Sequence, residues 1–194
     1  ILVTAGHCDD LLPYDMCKEA SWVFGFHTNS NGEVVTSIPE SDVYHCKRII
    51  AKEFSSTKDY AVVELDRPVK NRKPLKIASK NSVKAGDQIM MIGFPDGIPM
   101  KIAPNGKILT VDSDSYQASL DAFHGNSGSV VMNQETHEVV GILVAGNPDY
   151  QRVSSPAGSC NIVNKCDSEG LSCDGRQAMR GEKVSRLNQF IDFL

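Results

Sequence analysis

The chain has 194 residues, of which 41% are hydrophobic and 23% charged, with a formal net charge of −4. That length suits one globular unit or two small, closely joined halves, and the hydrophobic fraction excludes wholesale disorder. The acidic excess argues against a protein that grips nucleic-acid backbones, and no run of 18 apolar residues exists to span a membrane.

In chain order, Ile1-Leu2-Val3-Thr4 reads as a strand met in mid-course, and upstream sequence is expected. Alternating or β-rich runs follow at Trp22–His27, Glu33–Ile38, Val43–Ala51 and Tyr60–Leu65. The polar segment Arg67–Lys84, with Pro68, Pro74 and many basic residues, reads as a surface crossing between two β units. A second series of strands is predicted at Gln88–Phe94, Lys107–Val111, Tyr116–Leu120, Ser129–Met132 and Glu138–Val144. The dipeptides Asn31-Gly32, Asp96-Gly97 and Asn105-Gly106 supply the positive-φ residues of tight hairpins, so neighbouring strands are expected to be antiparallel. Asn147–Arg180, rich in Gly, Ser, Asp and Cys, reads as long loops held by disulfides. Finally, Val184, Leu187, Phe190, Ile191 and Leu194 fall on one helical face, with Ser185 as a candidate cap. Many short strands with hairpin turns point to a barrel or a sandwich.

Six cysteines stand at 8, 17, 46, 160, 166 and 173, three early and three late. There is no C-x-x-C pair and no zinc-like spacing, so structural disulfides in an exported protein are the expectation. With three in each group, one cysteine of each lacks a local partner.

Three segments carry candidate chemistry. They are Thr4-Ala5-Gly6-His7-Cys8, Asp59-Tyr60-Ala61-Val62-Val63-Glu64-Leu65 and Gly125-Asn126-Ser127-Gly128-Ser129. Taken singly, each has a plain structural explanation as a turn or a strand start. Together they supply a nucleophile, a base and an acceptor for that base. A serine hydroxyl needs a base to accept its proton, and that base needs an acceptor to fix its tautomer and stabilise the imidazolium.

With His, Asp and Ser in that order, each beside a predicted strand, the sequence resembles the chymotrypsin-like (trypsin-fold) serine peptidases. The matching patterns are T-A-x-H-C, D-x-A-hydrophobic-hydrophobic and G-[DN]-S-G-[GS]. The Gly-Asn-Ser-Gly-Ser motif and Ile92-Gly93-Phe94-Pro95 lean toward the bacterial branch that includes glutamyl endopeptidases. The resemblance runs from the first residue to about Gly146. It implies an all-β protein of two antiparallel six-stranded barrels, the first missing its N-terminal strands, closed by a short C-terminal helix. The corresponding divisions are 1–72, a connector at 73–84, 85–182 and a helix over 183–194.

The resemblance further implies Ser127 as nucleophile, His7 as general base and then acid, and Asp59 as its orienting partner. The N–H groups of Gly125 and Ser127 would form the oxyanion hole, and no metal or cofactor is implied. Asp121, Ala122, His124 and the strand residues Leu143, Val144 and Gly146 would line the substrate site, with Val144–Gly146 pairing to the substrate backbone. Asp121, six residues before Ser127, holds the offset at which trypsin-like members keep a carboxylate that selects Lys or Arg. Glutamyl endopeptidases have a His where this chain has Leu143. Asn126, where many animal relatives carry Asp, cannot pair with a freed N-terminal amine, and is expected to bond locally. Relatives pair the residue at Cys8 with a cysteine on a preceding strand, while Cys17 and Cys46 flank strands and could bridge. The expectation is therefore a secreted or periplasmic peptidase acting on polypeptides, without nucleic-acid or membrane partners. The alternatives are a non-catalytic binding homologue of the same fold, or an esterase or acyltransferase using the same three residues.

Overall fold

The computed structural model describes residues 1–10, 15–156, 158–168, 170, 172–177 and 179–194. Its N-terminal unit is an open four-stranded sheet. Strand β1 (Leu2–Thr4) leads into two single-turn helices, α1 (His7–Asp10) and α2 (Met16–Glu19). Strands β2 (Ser21–Val23), β3 (Val43–Phe54) and β4 (Asp59–Leu65) complete the sheet in the order β1-β4-β3-β2, with all pairs antiparallel.

β4 is central and is buried on both faces, which its nearly unbroken apolar run requires. Period-two alternation sends Tyr60 and Val62 into the main core, and Ala61 and Val63 into a smaller one with Met16. The Cys17–Cys46 disulfide staples α2 to β3 beside that smaller core. Two register shifts in the β3–β4 ladder, at Cys46/Arg48 and Ile49/Ala51, bend the sheet into a half-barrel.

The second unit is a closed six-stranded barrel. Its strands are β5 (Gln88–Gly93), β6 (Lys101–Val111), β7 (Ser115–Ala118), β8 (Val130–Asn133) and β9 (Val139–Ala145). A two-stranded ribbon, β10 (Tyr150–Ser155) with β11 (Gly158–Val163), stands apart, and β12 (Glu182–Arg186) closes the circle β12-β7-β6-β5-β8-β9. Ile89, Ile108, Tyr116, Val131 and Val184 fill the barrel and belong to the same apolar cluster as Tyr60 and Val62, so the two units share one core. No helix among the described residues is long and apolar enough to cross a membrane.

Five expectations are corrected. The helix over 183–194 gives way to β12 followed by two single-turn 3-10 helices, Leu187–Gln189 and Ile191–Phe193. Val184 pairs with both Tyr116 and Leu143, so barrel closure outweighs the local helical period. Glu33–Ile38 forms no strand and contributes only a bridge, Thr28↔Val34, and the Trp22–His27 strand shrinks to β2. Asn105-Gly106 is not a hairpin turn but sits inside β6, where Ile89↔Gly106 is followed by Met91↔Ala103 and the extra residues bulge out. The Asn147–Arg180 stretch contains the β10–β11 ribbon rather than loops alone, with positions 157, 169, 171 and 178 outside the described residues.

The remaining cysteines divide as the grouping required. Cys166 pairs with Cys173, while Cys8 and Cys160 are free thiols.

Candidate active site

The site lies where the two units meet. His7 opens α1, directly after the short β1 strand, and the Lys52 ammonium bonds Asp9 at 2.7 Å and Asp10 at 2.9 Å, tying that helix to β3. Asp59 begins β4 at the exit of a tight β3–β4 hairpin closed by Ser55 N–H on Lys58 C=O, and its partner across the ladder is Phe54. That pairing brings the Phe54 ring to 5.9 Å from the His7 ring.

Asp59 grips His7 twice. Oδ1 accepts the His7 backbone N–H at 3.0 Å, and Oδ2 lies 2.7 Å from Nδ1. On the opposite ring edge, Nε2 is 2.8 Å from Ser127 Oγ. The three side chains thus form one hydrogen-bonded line across 120 residues of sequence. Asp59 itself is only 7% exposed, so its carboxylate meets His7 in a place where water competes weakly. The hydrogen bond from Asp59 raises the His7 pKa above the ordinary 6.5, with a smaller contribution from Cys8, while burial works in the opposite direction.

Ser127 sits on two consecutive turns, closed by Asn126 N–H on Phe123 C=O and Ser129 N–H on Asn126 C=O. Glycines at φ +87° (Gly125) and +84° (Gly128) flank Asn126-Ser127, a conformation that side chains resist. Leu143 clamps the loop to β9 by accepting from Gly128 N–H and donating to Ser129 C=O. The amide N–H groups of Gly125 and Ser127 have no acceptor among the described residues. Asn126 is fully buried; its Oδ1 accepts from Ser129 Oγ at 3.2 Å, the local bond expected, and its Nδ2 has no partner among the described residues.

Several supporting residues escaped the sequence reading. Ser185 does not cap a helix: from β12 its hydroxyl donates to the Asp59 carbonyl at 2.8 Å. Gln189, in the turn beyond, accepts the Asp59 N–H with its side-chain oxygen at 3.3 Å. Both sides of the Asp59 backbone are therefore held by the second unit. Asp149 accepts the His124 N–H at 2.8 Å, and Tyr150 donates to Asp96, whose N–H in turn bonds His124 C=O. These contacts brace the loop before Gly125. No short motif announces them, because each depends on chain register far in sequence from the three motif segments.

A cleft of about 560 Å³ opens between the segments Ser119–Phe123 and Asn147–Asp149, the first of which leads along the chain into the Ser127 loop. Asp121 and Ala122 line it, whereas Leu143 and Val144 are buried in the barrel core and do not. His124 is exposed at the loop's outer side. Gly146 continues β9 past the last β8 pair, Val130↔Ile142, so the Val144–Gly146 edge has no strand partner on that side among the described residues.

An open half-barrel packs against a closed antiparallel barrel, and His7, Asp59 and Ser127 are hydrogen-bonded in line at the junction. The sequence itself places it further: residues 2–142 match the model of the trypsin-like peptidase domain, and the chain belongs to that family. In three dimensions it is similar to a solved structure described as Glu endopeptidase in complex with MPD. The TM-score is 0.60 at 16% identity, covering 98% of this chain and 79% of that one, a likeness of fold.

Proposed function

We propose that the protein is a serine endopeptidase that hydrolyses peptide bonds through an acyl-enzyme, with a preference for Lys or Arg before the scissile bond. The observation that carries the reading is the unbroken line Asp59 Oδ2–His7 Nδ1 at 2.7 Å and His7 Nε2–Ser127 Oγ at 2.8 Å. Ser127 Oγ attacks the scissile carbonyl carbon as its proton passes to His7 Nε2, and the carbonyl electron pair moves onto oxygen. The unsatisfied N–H groups of Gly125 and Ser127 receive that oxyanion; one such donor is worth about 10²–10³ in kcat. When the intermediate collapses, the C–N bond breaks and His7 returns its proton to the leaving amine. Water, deprotonated by His7, then attacks the ester, releasing the carboxylic product and restoring Ser127. Asp59 keeps the Nδ1–H tautomer in place and stabilises the imidazolium throughout. The two disulfides support an oxidising, secreted or periplasmic setting.

Digestion of an unfolded protein such as reduced casein tests the reading. Wild type is expected to cleave it, and Ser127→Ala and His7→Ala each to lose cleavage. A folded wild type that leaves the substrate intact would favour the non-catalytic binding homologue.

A further inference from the structure

The cleft between Ser119–Phe123 and Asn147–Asp149 is strongly acidic. Among the described residues, Asp121, Asp149, Asp167 and Glu182 line it, against one ammonium, Lys165. Two of these carboxylates have structural work: Asp149 holds the His124 N–H, and Asp167 takes the Ser172 hydroxyl. Asp121 is exposed at the cleft wall, where water screens a charge.

Glu182 is different. It projects from the start of β12 toward the end of β9, and a methyl group added to Gly146 would fall onto its carboxylate. Its Oε1 accepts only the Asn147 N–H, at 3.3 Å, and its Oε2 has no donor among the described residues. A carboxylate oxygen held in an acidic cleft with no cation bonded to it is short of a partner. Burial, with a smaller contribution from Asp149, pushes its pKa up to about 7, and an entering cation would reverse that effect. A Cβ at position 146 would force this carboxylate to shift, whereas Gly146 leaves it in place beside the substrate-pairing edge.

We propose that Glu182 is the principal specificity-determining residue of the cleft, receiving the ammonium or guanidinium of a basic side chain on the acyl side of the scissile bond, with exposed Asp121 secondary. This rests on the serine-peptidase reading above. It shifts the selecting charge from the position the sequence pointed to onto one that short-range patterning could not reach. A half-buried carboxylate works in a lower effective dielectric than an exposed one, so the same cation is held more strongly by Glu182.

The test uses the full chain and peptides differing only in the residue before the scissile bond: Lys, Arg, Leu, Phe or Glu. A fluorophosphonate probe first reports whether each variant has a reactive Ser127. Wild type is expected to prefer Lys and Arg. In Glu182→Gln that still takes the probe, the Lys/Leu ratio of kcat/KM should fall about 100-fold, the scale of a lost charge-assisted hydrogen bond. Asp121→Asn should change the same ratio less than about fivefold. A probe-reactive Glu182→Gln that keeps the basic preference overturns the proposal, as does a probe-reactive wild type that prefers Leu, Phe or Glu. Benzamidine, an aryl amidinium, gives a check on wild type that needs no variant to fold. It should slow probe labelling competitively, and labelling indifferent to benzamidine would count against Glu182. A wild type that never takes the probe fails at the peptidase reading itself.

Discussion

The two units hold the three aligned side chains in opposite ways. The barrel carrying Ser127 closes on itself, pairs every strand on both sides and fills its interior with its own side chains. The sheet carrying His7 and Asp59 is open, and an apolar groove of about 710 Å³ runs along the boundary, lined by Ile1, Leu65, Val130, Leu187 and Phe190. It compensates with a disulfide, with the Lys52 ion pairs, and with two bonds lent by the barrel's last segment, from Ser185 and Gln189 to the Asp59 backbone. The Ser127 loop is thus held by its own barrel, whereas His7 and Asp59 depend on docking to the other unit.

The largest effect expected falls on chemistry alone. Ser127→Ala should lower kcat by about 10⁶, with thermal unfolding almost unmoved, since the loop's turns are backbone bonds that the substitution leaves in place.

Asp59→Asn is expected to cost about 10⁴ in kcat and to move the rising limb of the pH–rate profile toward acid. Asp59 raises the His7 pKa, so wild-type activity should rise above pH 6.5, where His7 loses its proton, and the Asn variant should rise closer to 6.5. The stability linkage has a definite sign. The pair's contribution is full below the unfolded value of 6.5 and is lost as pH rises through the raised folded value. Denaturant titrations at pH 6 and at strongly alkaline pH should show the wild-type advantage shrinking at the higher pH.

Removing the Cys17–Cys46 bridge by a double Cys→Ala change should cost roughly 3.5 kcal/mol, given its separation of 29 residues, against roughly 2.4 for Cys166–Cys173 with its separation of 7. Hydrogen exchange should localise the first loss to β2–β4 and leave the barrel protected; uniform loss across both units would contradict their unequal self-sufficiency. The smallest effect belongs to the lent bonds. Ser185→Ala leaves a buried Asp59 carbonyl without its hydroxyl partner, costing about 1–3 kcal/mol, and should reduce kcat about tenfold with KM little changed. A variant that loses stability but keeps kcat would make Ser185 a packing residue rather than a positioning one.

Much of this organisation was legible in the linear chain. The apolar runs at Tyr60–Leu65 and Glu138–Val144 announced strands because burial on both faces leaves little room for polar residues. The Asp96-Gly97 pair does lie in the loop joining β5 to β6, with φ of +50° and +73°. The β10–β11 ribbon was not legible, because its side chains are mostly exposed and show no apolar alternation. At the C-terminus, a helical period at Leu187 and Phe190 coexists with a strand at Val184, and only the two neighbouring strands decide between them. The three motif segments were readable as a candidate site, but Ser185, Gln189 and Glu182 were not. Their relevance comes from β12 lying against β9 and reaching Asp59, a register that no local spacing encodes.

The most direct measurement is covalent labelling of the full chain with a fluorophosphonate, followed by mass mapping of the modified peptide, on wild type and on His7→Ala. One adduct is expected, on Ser127, formed rapidly by wild type and slowed by orders of magnitude without His7. A folded wild type that takes no label, or one labelled equally fast with His7 removed, would contradict the claim that His7 and Asp59 activate Ser127.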